Sequence, residues 1–198
     1  MTPQRLFDFL PLAVQSLTQP RVGLRTVLAI PTQRVDVINA AWLVIVLNLI
    51  ISAAFTVFGP VPTAGEQTIV PITTSAIMLA LTMFGGGILV YVVGKKFGGM
   101  GSFDDSMKMV VWVNFILLLM QVPVPFAAAM GPEITGLVLI LVVVVAMLQM
   151  TAQVMELHGF TQVLPVILGI IGTQFAFGIV LLIVLGLLGV SVPIEPAN

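Results

Sequence analysis

Hydrophobic positions in this chain fall in long unbroken blocks, and five of the blocks are as long as a membrane is thick. Ile38 to Phe58, Thr73 to Val93, Phe103 to Val122, Ile134 to Val154 and Val163 to Leu188 are apolar almost throughout. About twenty residues at roughly 1.5 Å rise cross a hydrocarbon core roughly 30 Å thick, so each block reads as one spanning helix. Short turns separate them: "GPVPTAGEQ", "GKKFGGMGS", "MGPE" and "MELHGF". Pro123 and Pro125 are expected to bend or break the third block, because neither can donate the helix hydrogen bond.

Residues 1–36 have a different pattern. Leu6, Leu10, Ala13 and Leu17 recur at helical spacing beside Arg5, Asp8 and Gln15, and Val22 to Ile30 is bracketed by Pro20 and Pro31. Both pieces read as amphipathic helices lying at the membrane surface, the alternative being a mobile tail. The fold class is therefore an all-α membrane protein: a bundle of five transmembrane helices (37–190), preceded by short amphipathic interfacial helices (1–36) and followed by an external tail (191–198). Asp8, Pro11 and Gln15 interrupt what a signal peptide would need as an apolar core, so the first spanning segment is expected to be retained.

Composition and charge narrow the function classes. The chain is 59% hydrophobic and 8% charged, against roughly a quarter charged in soluble domains. A net charge of −1 argues against a nucleic-acid partner, and the absence of cysteine excludes thiol catalysis, disulfides and cysteine-ligated metals. All seven basic residues lie on one side of the helices: Arg5, Arg21, Arg25 and Arg34 before the first block, Lys95, Lys96 and Lys108 around the turn between the second and third. The positive-inside rule then puts the N-terminus in the cytoplasm and the C-terminus outside, and the expected location is a bacterial inner membrane with the C-terminus in the periplasm.

The densest polar stretch is "GKKFGGMGSFDDSMKM", Gly94 to Met109. Ser102 and Asp105 have the spacing of a capping box that opens the third helix. Asp104 and Asp105 suit the positive end of the helix dipole, with Lys108 in pairing range of both. Gly98, Gly99 and Gly101 before a helix start also suggest an anion site, but the order lacks the P-loop pattern and two aspartates would repel phosphate. Lys95 and Lys96, with Arg21 and Arg25, are expected at the lipid headgroups.

Inside the blocks, Gln149, Gln153 and Glu156 share one face of the fourth helix. They read as interhelical glue or a solvated helix end, with a proton or solute pathway as the alternative. Asn48, Asn114, Gln121 and Gln174 invite the same reading. His158, the single histidine, is expected in a loop; no metal, cofactor or catalytic constellation is expected. Gly169, Gly172, Gly178, Gly186 and Gly189 suggest that the fifth helix packs closely.

From about Pro20 to Leu188 the order of features resembles a bacterial member of the Yip-domain family, the Ypt/Rab-interacting membrane proteins. The resemblance is carried by the N-terminal segment, five closely spaced helices, "GGMGSF" leading into the third helix and "ELHGF" before the fifth. It implies a non-enzymatic membrane protein that organises lipids, membrane shape or partner proteins, other copies of itself included. The family's eukaryotic members also interact with Rab-type GTPases and carry an Asp-Leu-Tyr-Gly-Pro type motif. Here the single tyrosine is Tyr91, inside a helix, which argues against carrying GTPase binding over.

Overall fold

The computed structural model describes residues 9–58 and 71–187. Expectations for Arg5, the turn at 59–70, Leu188, Gly189 and the tail lie outside the described residues. Every element described is a helix: α1 (Phe9–Thr18), α2 (Pro20–Leu28), α3 (Arg34–Phe58), α4 (Ile72–Lys96), α5 (Phe103–Gln121), α6 (Val124–Met130), α7 (Pro132–His158) and α8 (Val163–Leu187). In lipid this is the economical solution, since a helix satisfies its backbone N–H and C=O groups internally.

Five stretches are long and apolar enough to cross a membrane: 34–54, 72–96, 103–130, 132–158 and 163–187. The third joins α5 and α6, because Val122 and Pro123 both stay in the right-handed helical region. The prolines there interrupt the hydrogen-bond ladder without reversing the chain. α7 runs on through "MELH", since nothing stops it before Gly159, which takes the left-handed conformation at φ +73°.

α5 is the most enclosed of the long helices. One side packs on α3 and α4, where Met107, Val110 and Val111 meet Ala41, Val44, Ile45 and Met83. The other side receives α2 and α7, with Met109 and Val113 against Leu24 and Leu157. α1 lies against Trp112 and Ile116 through Leu12 and Ala13. Those two α5 residues stand roughly 14–20 Å along the helix from its first residue, so α1 follows α5 well past its first turns.

The buried face of α1 is Leu12, Ala13 and Ser16, which shares only Ala13 with the stripe suggested by periodicity. Leu10 and Leu17 are exposed. α1 has a protein-facing side and an outward side that are both apolar, so hydrophobic spacing does not tell them apart. The glycines of α8 likewise differ from expectation: a Cβ added at Gly169, Gly172, Gly178 or Gly186 meets nothing within 4 Å. The close approaches belong to α4 instead, where an added Cβ would stand 2.9 Å from Phe177 at Gly85 and 2.0 Å from the Met107 sulfur at Gly87.

α1 and α2 meet where Gly23 lies on Ser16. A Cβ at Gly23 would stand 1.9 Å from Ser16 Oγ and 2.8 Å from its Cα, which is backbone and cannot swing away. Gly23→Ala should therefore destabilise the fold by about 1–3 kcal/mol through overpacking. The measurements are the unfolding midpoint in detergent and the rate of protease cleavage between α1 and α2. A variant as stable and resistant as the parent would refute this contact.

Candidate functional site

Two turns at one end of the bundle are built alike. After α4, Gly98 takes φ +82°, its N–H donates to the Lys95 carbonyl (3.0 Å) and the Gly99 N–H donates to the Gly94 carbonyl (2.8 Å). This is the Schellman arrangement, which satisfies orphan carbonyls at a helix end. After α7, the Phe160 N–H donates to the Met155 carbonyl (3.0 Å) across Gly159. The turns are joined directly, because the Met100 N–H donates to the carbonyl of His158 (3.2 Å).

Between the turns sits the His158 side chain, 2% exposed at the last residue of α7 rather than in a loop. Its Nε2 lies 3.1 Å from the Val90 carbonyl, which can only accept, so Nε2 carries the proton. The Val90 carbonyl is also the one that the helix ladder assigns to the Gly94 N–H. The ring reaches it because residue 94 has no side chain: a Cβ there would stand 2.2 Å from the imidazole. At Gly99 the distance would be 2.4 Å, and at Gly101 a Cβ would meet Leu157 at 2.8 Å and the ring at 2.9 Å. Phe160 stacks on the imidazole, with centroids 5.4 Å apart and planes at 27°. Nδ1 is buried and has no partner among the described residues.

The space beside Gly99 and Gly101 is thus filled by an imidazole and is not open to an anion. The start of α5 is closed by its own residues. Ser102 Oγ accepts from the Asp105 N–H (3.1 Å) and donates to Asp105 Oδ2 (2.6 Å), so the acid turns to the hydroxyl rather than to the backbone N–H of a reciprocal capping box. Lys108 takes neither aspartate. Its Nζ donates to the Ile30 carbonyl (3.2 Å), while Asp104 pairs with Arg34 (2.8 Å), because the start of α3 folds back beside that of α5. Both members of the Arg34 pair are well exposed, which limits it to about 0–1 kcal/mol. Lys95 and Lys96 are exposed; Lys95 Nζ donates to the Met100 carbonyl (3.4 Å) and Lys96 has no partner among the described residues.

The N-terminal helices engage the polar face of α7 at Gln149 and at Glu156, while Gln153 between them bonds only Gln149 and its Oε1 is buried without a partner among the described residues. Gln149, buried, donates to the Ser16 carbonyl (2.7 Å) at the end of α1, and Gln153 donates to the Gln149 side-chain oxygen (3.0 Å). The Trp112 indole N–H donates to Ser16 Oγ (3.2 Å), and that hydroxyl donates to the Leu12 carbonyl (2.8 Å). Toward the turn, Glu156 takes both a short contact from Arg25 Nε and a second bond from Nη2 (3.1 Å). That hydrogen bonding, and then the Glu156 charge, raise the Arg25 guanidinium above its ordinary value. Arg21 Nη2 donates to the Met155 sulfur (3.4 Å). Arg21 and Arg25 thus both contact α7, and both remain exposed.

Asn48 and Asn114 do not join helices: each donates to the carbonyl four residues back, at 3.3 and 2.8 Å. Gln121 and Gln174 have no hydrogen-bond partner among the described residues. Ser16, Gly23, Val90 and Trp112 escaped the sequence reading. Trp112 carried the one usable signal, since a buried indole N–H needs an acceptor.

An all-helical chain with five helices of spanning length defines a multi-pass membrane protein. Residues 14–190 match the family model of the Yip1 domain, and the chain belongs to that family. No curated protein and no solved structure matches it. The two motifs that carry the resemblance, "GGMGSF" and "ELHGF", both contribute to the His158 seat, which Val90 and Gly94 of α4 complete.

Gly94→Ala tests that seat with a reversal of sign. In an ordinary helix interior the change stabilises by roughly 0.5–1 kcal/mol, whereas here it should destabilise because the ring occupies the methyl's place. In a His158→Ala background the same change should become neutral or favourable, giving a coupling of about 0.5–3 kcal/mol in a double-mutant cycle of unfolding in detergent. Additive effects would show that the ring does not fill that space.

Proposed function

We propose that this Yip1-domain protein is a non-catalytic integral membrane protein that organises lipids, membrane shape and neighbouring membrane proteins, with its basic end toward the cytoplasm. The observation that carries this reading is the use of the α7 polar face. Gln149 and Glu156 are spent on holding α1 and α2, and Gln153 is buried against Gln149, whereas a pathway along that face would need them open to water or solute. Family membership supports the same reading. Lipids, other membrane proteins and further copies of the chain are the partners it implies; GTPase binding is not carried over.

The orientation is supported by the gathering of Arg21, Arg25, Arg34, Lys95, Lys96 and Lys108 at the end of the bundle where α4 and α7 finish and α5 begins. With five spanning helices, a reporter fused at Asn198 should then behave as external. A cytoplasmic signal there would overturn either the orientation or the odd number of crossings.

The non-transport reading is tested in liposomes. Purified protein should give no proton or solute flux above protein-free vesicles, and Glu156→Gln should leave that baseline unchanged while loosening the N-terminal helices to protease. A proton-coupled flux abolished by Glu156→Gln would establish the transporter reading in its place.

A further inference from the structure

α4, α7 and α8 enclose a cleft of about 350 Å³ that opens at the bundle surface. Its wall on α4 runs from Gly86 to Phe97 and on α8 from Pro165 to Gln174. At 1.5 Å per residue these walls are roughly 14–16 Å long, about half the thickness of a hydrocarbon core, so the cleft has the depth of one leaflet. Between its ends the lining is apolar, with Val90, Val154 and Ile170 among the walls. Thr173 and Gln174 make the deep end polar and so limit the apolar length to that one leaflet.

The mouth has a different chemistry. Thr161 and Gln162 line it just before the first turn of α8, whose orphan backbone N–H groups favour negative charge. Lys96 follows Leu89 and Val93 at i+7 and i+3, which places it at the edge of the α4 face that lines the cleft, beside Phe97 at the mouth and not itself part of the wall. It is exposed and has no hydrogen-bond or ion-pair partner among the described residues. An apolar trough one leaflet deep, ending at an unpaired cation, is complementary to an amphiphile with one long chain in the trough and an anionic head at the top.

We propose that the α4–α7–α8 cleft binds one acyl chain of an anionic phospholipid from the leaflet at the Lys96 end, with the headgroup held by Lys96 and the start of α8. The site rests on the chain being a membrane protein, and not on its orientation or on the absence of transport. Gly169 lines the cleft, and a Cβ there meets nothing within 4 Å, so a larger side chain at this position would enter the trough without colliding with protein. Replacing a helical glycine also favours the helix.

The test uses the full chain in nanodiscs of phosphatidylcholine and phosphatidylglycerol in equal amounts. After partial removal of lipid with mild detergent, native mass spectrometry counts the phospholipid that remains. The parent should retain one phospholipid with phosphatidylglycerol preferred. Gly169→Leu should lose most of the retained lipid while unfolding at the parent's temperature or above. Lys96→Gln should keep a lipid and lose about fivefold of the phosphatidylglycerol preference, the effect of one basic residue at an anionic surface. Equal retention by Gly169→Leu, or no headgroup preference in the parent, would overturn the proposal. So would a Gly169→Leu variant that kept its lipid but changed oligomeric state, since a second copy of the chain would then be what covers the cleft.

Discussion

The hydrogen bond from His158 Nε2 to the Val90 carbonyl holds the end of α7 against α4, and the surrounding geometry follows from making room for it. Between helices in lipid there is little hydrophobic drive, because acyl chains are as apolar as leucine; close packing and hydrogen bonds decide which helices meet. A buried imidazole that must donate to a helix carbonyl needs an opening in the helix's coat of side chains. Gly94 provides it, and Gly99 and Gly101 let the following turn wrap the ring. The turn then returns the contact, since the Met100 N–H satisfies the His158 carbonyl that a helix end would leave unpaired. One ring thus sets the relative positions of the end of α4, the start of α5 and the end of α7.

The N-terminal helices are held by the same economy. α1 ends with a free carbonyl at Ser16, deep against α5 and α7, and Gln149 supplies the donor that water would supply elsewhere. Ser16 also receives the Trp112 indole, so three elements meet on one residue. Arg25 and Glu156 close the other end, where the Glu156 side chain is 15% exposed and that of Arg25 69%. The Glu156 side chain is thus the more enclosed partner, and loss of the arginine would remove both hydrogen bonds that it accepts on α7. Such a network favours this arrangement, because moving Ser16 away would leave the buried Gln149 amide without its acceptor.

How much of this was legible divides along a physical line. Block length and hydropathy fixed the existence of the five long helices, because the membrane imposes both. The direction each helix faces was not legible, since protein-facing and lipid-facing sides are both apolar: Leu10 and Leu17 matched the expected stripe of α1 and are exposed. His158 read as a loop residue because the fourth apolar block ends at Val154, yet α7 runs on through it and stops only at Gly159. The capping serine of α5 was legible because its signal is local. The partners of Asp104 and Lys108 were not, since Arg34 and Ile30 are brought to them only by the fold.

α8 shows what the same rules produce where no polar side chain ties helices together. It packs on α7 through Val166 and Ile170, with Phe160 at their edge, and touches α4 where Phe177 lies on Gly85. No side-chain hydrogen bond joins it to another element among the described residues. Four of its glycines face open space, so they do not bring a neighbouring helix close within the chain. A helix held at its start and again three turns later, with glycine at 169 between, leaves a gap on the α4 side, and such a gap left empty forfeits its dispersion contacts. The cleft beside α8 is therefore a consequence of how the two fastened contacts are spaced along it.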